Sequence, residues 1–325
     1  MTIDRRKLLA AAAAVSAAFT LAPQMALAQA YPTRDIHLVC AFPPGSGADV
    51  LVRHFAEKLR PIAKRNVIVE NKAGAGGNIA TEYVARAKPD GYTIYVHAGS
   101  AVAANMWLFK KPPVDAAKTL VVAATINRQP FMVVVAANSP YKTLADLTAA
   151  MKQKGDKATY ATAAPTGKIM GEIYKNTAGL KAVEVSYKTA PDSVNEILSG
   201  KLDYGMHDPV FSLAQQREGR MRILGVSTGK RLQAAADLPT MTEQKVPMDL
   251  TGWWAAMVPT GTPKPVVDQI HQWFTFMVQT DETVKFLNSF GGDAWPSKPG
   301  EGQAELIKSI KEWGGYVKLA KIEPQ

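Results

Sequence analysis

Short apolar runs, glycine-bearing breaks and helical periods follow one another along this chain and leave few folds open to it. Ile36–Phe42 is an apolar run of strand length, and Pro43-Pro44-Gly45-Ser46-Gly47 interrupts it. From Asp49 the apolar residues recur at Leu51, Phe55 and Leu59, with Val52 and Ala56 beside them, which is a helical period. Asp49 suits the helix start, where a carboxylate accepts from exposed backbone N–H groups. Val67–Glu70 reads as a second strand, Gly74-Ala75-Gly76-Gly77 as a turn, and Ile79, Tyr83 and Val84 as a second helix. Pro89-Asp90-Gly91 then turns into a third strand, Tyr92–His97. Strands joined by helices through short loops predict a parallel α/β sheet with right-handed crossovers.

The pattern resumes after residue 130. Strands are expected at Phe131–Ala137, Thr159–Ala163, Val183–Tyr187, Asp203–Met206, Ile223–Ser227 and Trp253–Val258. Helices are expected at Leu144–Met151, Met170–Thr177 and Pro191–Leu198, the last with Pro at its first turn. Beyond Pro263-Lys264-Pro265 the tail is mostly helical. Val267, Ile270, Trp273, Phe274 and Met277 share one side, and a last helix runs from about Glu301 to Ala320. Two α/β units follow. Lobe 1 is discontinuous, built from 29–130 and 252–325, and lobe 2 is 131–251. The chain crosses near 128–132 and 250–254, and paired crossings form a hinge that can close around a ligand.

Arg5-Arg6-Lys7, an apolar Ala- and Leu-rich stretch and Ala26-Leu27-Ala28 have the order of a secretory signal, with cleavage expected after Ala28. The paired arginines also allow a twin-arginine route. No other segment reaches about 18 unbroken apolar residues, so a periplasmic location is expected. The formal net charge is +10, which favours solubility and draws anions. The basic residues are spread out, without an arginine-rich run, so nucleic acid is not an expected partner. The one cysteine, Cys40, lies inside the first apolar run and reads as a packed strand residue.

Chemistry-bearing patterns are few. Gly74-Ala75-Gly76-Gly77-Asn78-Ile79 places Ile79 where a dinucleotide fingerprint needs Gly or Ala, and it reads as a tight turn. The five histidines, His37, His54, His97, His207 and His271, have no metal-site spacing, and there is no G-x-S-x-G elbow. No catalytic, metal or cofactor site is expected. Loops at strand ends are the better candidates, because ligands of open α/β sheets sit at the carboxyl ends of strands. They are Pro43–Asp49 and His97-Ala98-Gly99-Ser100-Ala101 in lobe 1. In lobe 2 they are Ala163-Ala164-Pro165-Thr166-Gly167-Lys168 and Tyr187-Lys188-Thr189-Ala190.

The chain resembles the periplasmic solute receptors of tripartite tricarboxylate transporters, the Bug-type binding proteins. The resemblance rests on Phe42-Pro43-Pro44-Gly45-x-Gly47-x-Asp49, on Val69-Glu70-Asn71-Lys72-Ala73-Gly74-Ala75-Gly76-Gly77, and on Pro89-Asp90-Gly91-Tyr92-Thr93. Tyr187-Lys188, Leu238–Glu243 and Pro259-x-Gly261-Thr262-Pro263 extend it. It implies a two-lobed Venus flytrap clamp, each lobe a mostly parallel sheet flanked by helices. Such a clamp binds a small carboxylate without cofactor or chemistry, as a monomer, and delivers it to membrane permease subunits. Carried over by position, its binding residues are Phe42, Pro43, Gly45, Ser46, Asp49, Ser100 and Ala101 from lobe 1. From lobe 2 they are Ala163, Thr166, Gly167, Tyr187, Lys188, Thr189 and Asp208. Lys168 joins them as a source of charge for a carboxylate, as does Lys188. The chain departs from the family pattern in a shorter stretch after Ala163 that lacks a histidine, and in Thr189 where glycine is usual. A ligand-sensing partner of a membrane signalling protein, and a periplasmic enzyme acting on carboxylates, are the alternative readings.

Overall fold

A computed structural model describes residues 31–325. The signal segment expected at 1–28 lies outside the described residues. Among the described residues, eleven strands build two sheets. They are β1 (Ile36–Cys40), β2 (Val67–Asn71), β3 (Thr93–Ala98), β4 (Leu120–Gln129), β5 (Met132–Ala136) and β6 (Thr159–Thr162). β7 (Val183–Ser186), β8 (Tyr204–His207), β9 (Met221–Val226), β10 (Gly252–Pro259) and β11 (Asp293–Ala294) complete the set. One sheet has the order β11-β4-β10-β3-β1-β2, the other β7-β6-β8-β5-β9.

The parallel alternation expected from the sequence holds for three strands in each sheet, β2-β1-β3 and β7-β6-β8. The remaining pairings are antiparallel, because β10 and β11 in one sheet and β5 in the other run against their neighbours, so each sheet is mixed. The reason is how the chain changes sheets. It leaves on β4, and only Pro130 and Phe131 separate that strand from β5; it returns on β10. Departure and return occur side by side, with Gly252 opposite Gln129 in one sheet and Met132 opposite Val226 in the other. Strands that leave and enter at the same end must be antiparallel. Ser227, fully buried, ties these crossings together: its Oγ accepts from Phe131 N (2.8 Å) and donates to Leu250 O (2.7 Å).

The helices that matter for the site are α1 (Gly47–Ala63), α2 (Asn78–Ala85), α3 (Gly99–Leu108), α4 (Leu144–Lys154), α5 (Pro165–Ala178) and α6 (Pro209–Arg217). Helices α7 (Lys264–Gln279), α8 (Asp281–Ser289) and α9 (Glu301–Leu319) form the tail. Helix α1 buries Leu51, Val52, Phe55, Ala56 and Leu59, as its period requires. It begins two residues before Asp49, with Ser46 as its N-cap. Helix α7 buries Ile270, Trp273, Phe274 and Met277. Cys40 is buried, and burial pushes its thiol up to about 11, which fits an inert packed residue. No helix among the described residues is long and apolar enough to cross a membrane.

Candidate ligand-binding cleft

Because β1, β2 and β3 are parallel, their carboxyl ends open on one edge, and the segments 41–46, 72–77 and 98–99 lie together there. The same holds in the other sheet for the ends of β6, β7 and β8, which carry 163–164, 187–189 and Asp208. The two edges meet. A Cβ added to Gly47, at the start of α1, would stand 2.8 Å from Val210 Cγ1 in the first turn of α6. Glycine is what permits this approach between α1 and α6.

The first loop is held by its own side chains. Asp49 is 2% exposed. Its Oδ2 accepts from Gly45 N (2.8 Å) and Arg53 Nε (2.8 Å), and its Oδ1 from Asn71 Nδ2 (2.8 Å). Burial pushes this carboxyl up, but the hydrogen bonds from Arg53, Asn71 and Gly45 outweigh it and hold the group below its ordinary value. Asn71 Nδ2 also donates to Phe42 O (2.9 Å), joining the end of β2 to the loop. Ser46 Oγ accepts from Asp49 N (3.2 Å) and donates to Pro43 O (2.8 Å). Asp49 and Ser46 therefore shape the loop, with their polar atoms turned on it. Phe42 is half-buried against His97 and Trp254, at ring separations of 5.4 and 6.3 Å.

Ser100 and Ala101 sit in the first turn of α3, and Thr166, Gly167 and Lys168 in the first turn of α5. Ala98 and Ala164 occupy the two N-cap positions, and neither helix has a side-chain cap. Their leading N–H groups are the kind of donors that receive a carboxylate. Ser100 and Thr166 are both buried, Ala163 is half-buried, and α3 packs against α5. Asp208 caps α6 by accepting from Phe211 N (3.0 Å), and burial raises its pKa.

The expected lysines behave differently from each other. Lys168 Nζ lies 3.4 Å from Glu184 Oε2, so its charge is shared, whereas Lys188 is exposed with no ion-pair partner among the described residues. Tyr187 donates its hydroxyl to Glu196 Oε2 (2.9 Å), which leaves its ring rather than its hydroxyl available. Thr189 caps a short turn at Ala190–Ser193 together with Asp192. The sequence pointed to His97 only as the first residue of a candidate loop, and it did not single out Asn71, Arg53 or Val210. The i,i+4 spacing of Asp49 and Arg53 carried a signal for one of them. No cluster of three or more His, Cys, Asp or Glu among the described residues could hold a metal ion.

Two sheets exchanging their chain at paired crossings, with glycine-bearing loops of each facing the other, define a two-lobed solute-binding fold. Solved structures share it. The Rhodopseudomonas palustris protein Rpa4515, determined with adipate, is 27% identical, with a TM-score of 0.84 over 91% of this chain and 100% of that one. The periplasmic binding protein BugD is also 27% identical, with a TM-score of 0.81 over 91% of this chain and 100% of its own. A UPF0065 protein of Bordetella bronchiseptica is 30% identical over 302 residues, covering 92% of this chain and 89% of the relative. Residues 51–318 match the tripartite tricarboxylate transporter family receptor, and the chain belongs to that family.

Proposed function

We propose that this chain is an exported, periplasmic solute receptor that closes on a small carboxylate and delivers it to the permease subunits of a tripartite tricarboxylate-type transporter. The observation that carries the reading is the meeting of the two loop edges at Gly47 and Val210, with the uncapped starts of α3 and α5 nearby. Backbone N–H groups at helix starts bind anions without needing a buried cation. The R. palustris relative, solved with adipate, supports a carboxylate ligand.

In this reading residues 131–251 swing as lobe 2 against 29–130 plus 252–325, about the crossings near 128–132 and 250–254. Phe42, Pro43, Gly45, Ser100, Ala101, Ala163, Thr166, Gly167, Tyr187, Lys188 and Thr189 line the ligand. Ser46, Asp49 and Asp208 hold the loops that carry them, and Lys168 acts through Glu184. The protein binds its ligand without transforming it, needs no cofactor and works as a monomer. A thermal-shift screen against mono-, di- and tricarboxylates tests this, because a ligand that binds only the native state raises the melting temperature. A hit recovered unchanged after incubation supports the receptor. Turnover of the hit points to an enzyme, and a screen without hits removes the carboxylate assignment.

A further inference from the structure

The turn after β2 has positive φ at four successive residues: Gly74 (128°), Ala75 (46°), Gly76 (61°) and Gly77 (95°). Ala75 is thereby held in a left-handed conformation that a side chain disfavours. Asn105 fixes the turn, its Nδ2 donating to Gly76 O and Asn78 Oδ1, both at 2.9 Å. No side chain caps α2, which starts here.

His97 faces the same turn from the end of β3. A Cβ added to Gly77 would stand 2.9 Å from His97 Nε2 and 3.6 Å from Ala41 Cβ, so the imidazole packs against the glycine turn, beside the start of the first loop. Tyr95, Phe42 and Trp254 surround it at ring separations of 4.9, 5.4 and 5.7 Å. The residue is 1% exposed. Neither Nδ1 nor Nε2 has a hydrogen-bond partner among the described residues, and Asn105 Oδ1, across the turn, is also buried and unpartnered. Burial lowers the His97 pKa to about 3, so at neutral pH the ring offers one donor and one acceptor. Buried groups of this kind are met by an ordered water or by a polar atom of a ligand.

We propose that His97 and Asn105 form a second polar subsite of the cleft, which selects carboxylates bearing a neutral hydrogen-bonding group, such as a hydroxyl, at their far end. The proposal rests on the carboxylate-receptor reading and adds which carboxylates are taken. A neutral group fits because the side chains around His97 are aromatic or small and carry no charge. The lysine after β2, Lys72, lies over the Tyr83 ring at 3.8 Å and pairs with Glu70. A second carboxylate placed beside His97 would lose its hydration without gaining a cation. A hydroxyl would accept from the ring N–H and donate to Asn105 Oδ1.

The test compares matched ligands by titration calorimetry: hexanoate, 6-hydroxyhexanoate and adipate, and likewise benzoate, 4-hydroxybenzoate and terephthalate. In at least one series the hydroxy acid should bind about tenfold more tightly than both its apolar and its dicarboxylate counterparts, the scale of one buried hydrogen bond. His97→Phe, which keeps an aromatic ring without polar atoms, should erase that preference. His97→Gln, which keeps a donor and an acceptor, should retain part of it, and decides the matter if the Phe variant fails to fold. Binding with no hydroxyl preference means that ordered water alone satisfies His97 and overturns the subsite, while the receptor stands. A preference unchanged in His97→Phe also overturns it. No binding in either series overturns the carboxylate reading and the subsite together.

Discussion

Gly47 and Val210 touch across the cleft so closely that position 47 has no room for a methyl group: the added carbon would lie 2.8 Å from Val210 Cγ1. Under the proposed clamp, closure of the lobes depends on this glycine in α1. Gly47→Ala should hold the lobes apart and weaken ligand binding about fivefold, on the order of 1 kcal/mol. Adding Val210→Ala should restore most of the loss. A double-mutant cycle in ligand affinity measures the coupling, and additive effects would show that the contact plays no part in closure.

Asp49, almost fully buried, accepts from Gly45, Arg53 and Asn71, so removing it undoes three hydrogen bonds that fix the loop, although Gly45 and Arg53 can turn to water. Asp49→Ala should destabilise the protein by about 2 kcal/mol in urea unfolding at pH 7. The folded-state pKa is held below its ordinary value. The stabilisation is therefore full above the unfolded pKa of about 3.9 and drains away as pH falls through the lower folded value. The gap between wild type and Asp49→Ala should narrow at pH 2–3, and a gap that stays constant there would contradict this role.

Ser227 joins both crossings, bonding Phe131 N and Leu250 O through one hydroxyl. Ser227→Ala leaves that donor and that acceptor buried and unmade, at a cost of about 2 kcal/mol. Chemical denaturation should register it with an unchanged slope. Ser227→Thr keeps the hydroxyl and should recover part of the stability if the added methyl is accommodated.

Lys188 has no ion-pair partner among the described residues, whereas Lys168 faces Glu184. Lys188→Ala should weaken binding of an anionic ligand about threefold at low salt, and the difference should fade towards 1 M salt as exposed charge is screened. Lys168→Ala should change affinity less, since its removal frees Glu184 as well. Equal losses in the two variants would place both ammonium groups at the ligand.

The sequence told most about segments whose side chains repeat a period. Leu51, Phe55 and Leu59 foretold α1, and Ile270, Trp273, Phe274 and Met277 foretold α7. The strand β4 was not foreseen, although it is paired on both sides. Its Leu-Val-Val-Ala-Ala run is apolar on both faces, and a short run of that kind has no period to separate strand from helix. Helix α6 was also missed, although Asp208 followed by Pro209 is a cap and first-turn pair that marks a helix start. The direction of β5 and β10 depends on where the chain changes sheets, which no local pattern encodes. In the candidate site, the break at Phe42–Ser46 was legible from its glycine and prolines, whereas α5 begins at Pro165, earlier than the Met170 its period suggested. The involvement of Asn71 and Val210 was not legible, because each acts on a partner distant in sequence.

The central claim is that the facing loops hold a carboxylate. Its most direct test is titration calorimetry of the chain lacking residues 1–28 with monocarboxylates, hydroxy acids and dicarboxylates of graded length, each beside its uncharged amide. The account predicts saturable binding of at least one acid, with a stoichiometry near one, and none of its amide. Equal binding of acid and amide, or no binding of any acid in the set, would contradict it.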